Sequence, residues 1–231
     1  MKKLEITHTL KPLLIFSDLH LGSRQNDLKM ERIANIIKQI DPCIVVFNGD
    51  TFNLPDRELA RSALNVLKRS NSNMTSMYFL SGNHDPIFPD SSMLVDFCGK
   101  KIFFEHGHAY AKTLKFFDYL GTVINEKIMG WFKFDIQFWL RARCAKSYTI
   151  SGNTVKMVKH LYEERQKIIE KYSNQNDYQC VVTGHTHYKE VTSLDNHVLY
   201  INTGNWETCT VIHPNLIVKQ LDLKRDLGMI K

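Results

Sequence analysis

The chain has 231 residues, 43% hydrophobic and 23% charged, with 30 Lys and Arg against 24 Asp and Glu for a formal net charge of +6. That length allows one well-buried core, and with no Gly-, Ser- or Pro-rich linker and no disordered tail a single domain over residues 1–231 is expected. No apolar segment follows Lys2 and Lys3, so neither a signal peptide nor a membrane span is expected, and five scattered cysteines (Cys43, Cys98, Cys144, Cys180, Cys209), none in a C-x-x-C pair, argue for reduced thiols in a cytoplasmic protein.

Leu13-Leu14-Ile15-Phe16 is a short apolar run of the buried parallel-strand type, and it runs out into Ser17-Asp18-Leu19-His20-Leu21-Gly22. Ile33, Ile36, Ile37 and Ile40 recur at helical spacing and predict a helix that Asp41-Pro42 closes. Cys43-Ile44-Val45-Val46-Phe47 predicts a second buried strand, which ends in Asn48-Gly49-Asp50. Leu59, Ala63, Leu64 and Leu67 predict a helix over 57–68. Ser76-Met77-Tyr78-Phe79-Leu80 predicts a third strand, ending in Ser81-Gly82-Asn83-His84-Asp85, where Gly82 turns the chain. Three β–α repeats in a row argue for a largely parallel inner sheet.

Lys101-Ile102-Phe103-Phe104 predicts the next strand, with Glu105-His106-Gly107-His108 at its exit. Residues 112–179 then hold 12 Lys and Arg against 7 Asp and Glu, and 12 of the 25 aromatic residues, and are expected to form an inserted helical subdomain in two parts, 114–147 and 154–172. The core resumes at Cys180-Val181-Val182, which exits into Thr183-Gly184-His185-Thr186-His187. Residues 191–194 and 198–201 predict an antiparallel hairpin through Asp195-Asn196, and 209–212 with 216–221 extend that layer around Pro214-Asn215.

Five strand exits therefore present carboxylates, imidazoles and one carboxamide, and six of the ten histidines lie in them. Ligands of open α/β sheets sit at such exits. This mixture of oxygen and nitrogen donors suits two borderline-hard divalent ions such as Mn²⁺, Fe²⁺ or Zn²⁺, and not Ca²⁺. His8, His160, His197 and His213 stand outside the motifs and receive no role.

Asp18-x-His20, Gly49-Asp50, Gly82-Asn83-His84-Asp85, His106-Gly107-His108 and Gly184-His185-Thr186-His187, in this order, resemble the five motifs of the calcineurin-like metallophosphoesterases. The resemblance implies a four-layer αββα sandwich of two mixed β-sheets flanked by helices, with a helical insert, or lid, at about 112–179. It implies Asp18, His20 and His187 on one metal, Asn83, His106 and His185 on the other, and Asp50 bridging them. His84 would be the proton donor, with Asp85 as its orienting partner. Mn²⁺ is the first expectation for the metal.

Asp18-Leu19-His20-Leu21-Gly22, the insert after His106-Gly107, and Asn202-Thr203-Gly204-Asn205-Trp206 are similar to the UDP-2,3-diacylglucosamine diphosphatase group of lipid A biosynthesis. That likeness implies hydrolysis of the diphosphate of a nucleotide-sugar lipid, with acyl chains sheltered by the insert and peripheral contact with the inner face of a membrane. His84 and His108 depart from it, since the better-defined diphosphatases carry Arg and Asp there, which moves the chain toward broader relatives. Arg24, His108, Arg141, Arg143 and Lys146 are the candidate substrate contacts; for the aromatic insert an ordinary packed subdomain stands beside the lipid groove. The alternatives are a phosphodiesterase or phosphatase of another substrate (a cyclic nucleotide, a phosphomonoester or a phosphoprotein), a non-catalytic scaffold, disfavoured because every ligand position is filled, and a nucleic-acid-binding protein, whose affinity would fall steeply with salt.

Overall fold

In the computed structural model the described residues are 1–7, 9–21, 26–52, 65, 67, 75–110, 145–150 and 153–223. They fall into two compact units, Met1–Gly107 with Tyr172–Lys231, and His108–Lys171. In chain order the elements are β1 (Lys2–Ile6), β2 (Leu13–Phe16), α1 (Asn26–Ile40), β3 (Ile44–Asn48), β4 (Ser76–Leu80), β5 (Ser92–Phe97), β6 (Lys100–Glu105), β7 (Ala145–Ile150), β8 (Asn153–Val158), α2 (Lys159–Ser173), β9 (Cys180–Thr183), β10 (Glu190–Ser193), β11 (Leu199–Asn202), β12 (Thr208–Ile212) and β13 (Val218–Asp222).

The first unit is built on two mixed sheets, ordered β1-β5-β6-β9-β11-β10 and β13-β12-β2-β3-β4. β2, β3 and β4 run parallel side by side, and so do β6, β9 and β11. Period-two alternation decides what each face buries. Ile44 and Val46 of β3, with Leu13 and Ile15 of β2, meet Val95, Ile102, Phe104, Cys180 and Val182 of the other sheet. Fully burying each such apolar side chain stabilises by about 1.5–3 kcal/mol, so this inter-sheet layer is one of two hydrophobic cores.

The other face of the five-stranded sheet packs Leu14, Phe16, Val45 and Phe47 against Met30, Ile33, Ile36 and Ile37 of α1. The predicted helix stripe is thus real, and Asp41 ends it in a left-handed conformation at φ 47°. Of the helix expected over 57–68, Asn65 and Leu67 fall within the described residues; both are helical, and Leu67 is buried in this cluster. Phe16, Phe47 and Phe79 stand in register across β2, β3 and β4 and stack at 5.6 and 4.4 Å. That ladder lies directly beneath three of the five exits and aligns where the strands stop. On the outer face of the six-stranded sheet Phe103 stacks on Tyr178 at 4.8 Å and meets Tyr172 at the end of α2.

Two strands are absent from the sequence reading. β1 is an edge strand that alternates exposed charge with half-buried Leu4 and Ile6, and β5 buries only every second residue, Met93, Val95 and Phe97. Neither contains a continuous apolar run. The second unit departs from expectation more sharply: Ala145–Ile150 and Asn153–Val158 pair as an antiparallel hairpin, although helix was expected at 145–147 and 154–158, and of the described residues expected to be helical Lys159–Ser173 form an α-helix. The β-branched residues Thr149, Ile150, Thr154, Val155 and Val158 lose side-chain freedom in a helix and fit a pleated ladder. The first part of the insert, apart from 145–147, lies outside the described residues.

Candidate metal centre

Five loops leave parallel strands at one end of the two-sheet unit and bring seven side chains together. Ligand atoms of Asp18, His20 and His187 lie within 4.8 Å of one another, and so do those of Asp50, His106 and His185, and those of His20, Asp50 and His84. Asp50 belongs to two of these groups. Its Oδ2 stands 3.2 Å from His106 Nε2 and 4.0 Å from His84 Nε2. Asp18 Oδ1 stands 3.1 Å from His187 Nε2 and 3.9 Å from His106 Nε2. The His84 ring meets the His20 ring edge-on at 4.7 Å, and the His106 ring meets His185 at 5.4 Å.

The loops reach this geometry through strained backbone. Asp18, His20, Asp50, His185 and His187 have φ of 53°, 46°, 49°, 65° and 58°, a region that L-residues avoid at a cost of about 1–3 kcal/mol each. Bonds between loops hold them there. Asp18 N–H donates to Gly49 O (3.1 Å), His20 N–H to Asp50 O (3.0 Å) and Leu21 N–H to Thr51 O (2.8 Å), which zips the exits of β2 and β3 together. His185 N–H donates to Asp18 Oδ2 at 3.0 Å, and His84 N–H to Asp50 Oδ1 at 2.8 Å. The Asn202 amide cradles the loop between the last two histidines, donating to Gly184 O (2.7 Å) and Thr186 Oγ1 (3.0 Å).

Burial alone would raise the carboxyls of Asp18 and Asp50. The neighbouring imidazoles, His106 first for both, outweigh it and hold both below the usual carboxylate range. Burial alone would likewise lower His106, but the charges of Asp50 and Asp18 push it up to about 10. His20 is the opposite case: burial dominates and lowers it to about 4 despite Asp50. The cluster therefore concentrates negative charge in a buried place. His106 Nδ1 lies 2.9 Å from the carbonyl oxygen of Asn48, to which it donates, which aims Nε2 at the carboxylates. Asn83 Oδ1 is buried and accepts no hydrogen bond, a cost of about 1–3 kcal/mol that a bound cation would remove. Carboxylate, carboxamide and imidazole donors around open acceptors fit divalent metal ions.

Asp85 acts differently from the sequence expectation. It is buried, and both carboxylate oxygens are taken by backbone N–H groups: Gly82 (2.7 Å) and Asp50 (3.0 Å) on Oδ1, Thr51 (2.7 Å) and Phe52 (3.2 Å) on Oδ2. It orients the loop that carries Asp50 and not the His84 ring. Burial, then the charge of Asp50, push its carboxyl up to about 7. Gly82 is also used differently. Its φ is not left-handed, but a Cβ there would collide with Asp50 Oδ1, so close approach and not turn conformation requires glycine.

His108 opens a 3-10 turn, His108–Tyr110, and Lys146 is exposed on β7, both in the second unit. Arg24, Arg141 and Arg143 lie outside the described residues. Sequence reasoning missed Asn48 and Ser17. The Ser17 hydroxyl reaches Asp18 Oδ2 and Asn48 O. The signal for Asn48 was its parity: it follows Ile44 and Val46 at period two and so points a polar group into an apolar layer.

The model of the family described as calcineurin-like phosphoesterase matches residues 11–189. A transmembrane protein with a metallophosphoesterase domain from Danio rerio is 36% identical over 75 residues, 32% of this chain and only 16% of that relative's length. Among solved structures, the E. coli phosphoesterase Yfce is 15% identical with a TM-score of 0.46, covering 92% of this chain and 99% of its own. A dimetal phosphatase from Danio rerio is 8% identical with a TM-score of 0.48, covering 93% and 99%. The family match runs through all five strand exits, and on it this chain belongs to the calcineurin-like phosphoesterases, metal-dependent hydrolases of phosphoric esters.

Proposed function

We propose that the strand exits hold two divalent ions, one on Asp18, His20 and His187, the other on Asn83, His106 and His185, with the Asp50 carboxylate shared, and that the enzyme hydrolyses a diphosphate. The observation that carries this reading is that Asp50 groups with His106 and His185 and also with His20, which itself groups with Asp18 and His187. Divalent ions held by these residues would supply an acidified water and neutralise charge on a phosphoryl group. The chain's own residues do the rest. The cross-loop bonds to Asp18, His185 and His84 lock the donors before substrate arrives, so the geometry costs no reorganisation during reaction. His84, whose side chain is 18% exposed, stands at the edge of the cluster and donates a proton to the leaving oxygen.

For the substrate we favour a UDP-2,3-diacylglucosamine-like nucleotide-sugar lipid, hydrolysed in the cytoplasm with peripheral contact to the membrane. Asp18-Leu19-His20-Leu21-Gly22, Asn202 to Trp206 and the basic, aromatic residues 112–179 support this choice, with Arg24, His108, Arg141, Arg143 and Lys146 as substrate contacts and Mn²⁺ as the metal. Among the described residues no helix is long and apolar enough to cross a membrane. A matched hydrolysis panel tests the proposal: release of UMP from UDP-2,3-diacylglucosamine is expected. Turnover of p-nitrophenyl phosphate esters with none of the nucleotide-sugar lipid would favour the general phosphoesterase instead.

A further inference from the structure

The two halves of the proposed metal set come from different sheets. Asp18, His20, Asp50 and Asn83 follow strands of the five-stranded sheet, while His106, His185 and His187 follow β6 and β9 of the six-stranded one. Their spacing therefore depends on how the two sheets sit against each other at this end, where the inter-sheet apolar layer stops at Val46, Phe104 and Val182. Apolar packing is non-directional and does not by itself define that spacing to the tenths of an ångström that a ligand set needs.

One residue crosses the gap with directional bonds to both histidine strands. Asn48, last in β3 and fully buried, donates from its side-chain amide to Glu105 O (3.1 Å) and Val182 O (3.3 Å). Glu105 immediately precedes His106, and Val182 is three residues before His185. The backbone carbonyl of the same Asn48 takes the Nδ1–H of His106 (2.9 Å), and two residues on is Asp50. Its Oδ1 is buried without a donor, a cost the fold carries to keep an amide here.

We propose that Asn48 is the positioning residue that sets the distance between Asp50 and the His106–His185 pair, and thereby the affinity of the second ion, whose ligand His106 it bonds directly, more than that of the first ion on Asp18, His20 and His187. The inference rests on the dinuclear reading above. Asn48→Asp keeps the shape but supplies at most one hydrogen; Asn48→Ser is smaller, retains one donor, and serves if the first variant does not fold. Mn²⁺ is titrated into each metal-free protein by calorimetry, with the exchange-coupled signal of a bridged Mn²⁺ pair followed by electron paramagnetic resonance. Wild type is expected to bind two ions. The variants are expected to lose roughly 10- to 100-fold in affinity for the second ion, as is typical when a partner of a ligand is removed, to lose less at the first, and to show the coupled signal only at correspondingly higher Mn²⁺. A folded variant that binds both ions with wild-type affinity and signal, and only melts earlier, overturns the positioning role, as does an equal loss at both ions. A wild type that binds fewer than two ions overturns the dinuclear reading and this inference with it.

Discussion

The two ends of the same sheets use left-handed backbone for opposite purposes. At the end away from the cluster, Asp41, His197 and Leu216 have positive φ, and each is secured locally, with its N–H bonded to a carbonyl three or four residues back: Ile37 O, Leu194 O and His213 O. These are helix caps and hairpin turns. At the other end Asp18, His20 and His185 are secured by groups far away in the chain, on Gly49, Asp50 and Asp18. Local strain at a turn is a way to reverse the chain. Strain maintained from a distance aims side chains at the cluster, although Cys98, at the far end with its N–H on Ile6 O, shows that a distant bond alone does not mark a site.

The comparison breaks first at Asp50. Asp50→Asn is expected to lower turnover by about 10³-fold or more, the scale of losing a preorganised electrostatic contact, and to reduce bound metal; near-normal turnover with full metal content would rule out a shared carboxylate. His84→Ala should retain metal and lose roughly 10²- to 10⁴-fold in kcat, most for substrates with poor leaving groups. An equal loss for good and poor leaving groups would remove the proton-donor role.

A matched pair of glycine substitutions sharpens the contrast. Gly82→Ala drives a Cβ into Asp50 Oδ1 and should cost about 10²-fold in activity, as ångström-scale misplacement does. Gly99→Ala, at φ 79° with open space around it, should cost about 1–2 kcal/mol of stability and no activity. If the two lose activity alike, the mouth has no special intolerance.

The metal-free cluster should also have a pH signature. His106 is raised from its ordinary 6.5 to about 10, so its contribution to stability is full below 6.5 and is lost as pH rises through 10. Asp50 is lowered from 3.8, so its contribution is full above 3.8 and is lost in more acidic solution. Chelator-treated protein should accordingly have its highest urea midpoint from this pair between those ordinary values, and a midpoint unchanged from pH 6 to 10.5 would contradict the His106–Asp50 contact. The smallest effect belongs to the far end. His197→Gly relieves an exposed φ of 63° and should stabilise by up to about 1 kcal/mol, with metal content and activity unchanged.

Much of this was legible in the chain. Apolar runs such as Leu13–Phe16 and Ile44–Asn48 declared themselves because strands buried on both faces need no polar alternation. Edge strand β1 and the alternating β5 lack that signature and were passed over. The aromatic and aliphatic spacing around β7 and β8 predicts helix, whereas the β-branched residues on either side of Ser151-Gly152-Asn153 favour the hairpin they form. Asp85 was assigned to its sequence neighbour His84, yet its oxygens are claimed by N–H groups up to 35 residues away.

The order and chemical type of the ligand-bearing residues, and their placement at strand exits, were determined by sequence alone, because short apolar runs dictate where strands end. The tertiary structure decided which exits meet, that Asp50 stands with His20 as well as with His106 and His185, and that Asn48 and Asp85 hold the loops. Those outcomes turn on hydrogen bonds between segments as far apart as Asn48 and Val182, 134 residues along the chain, and on backbone angles that only such bonds can stabilise. No local pattern encodes a left-handed aspartate whose partner lies in another sheet.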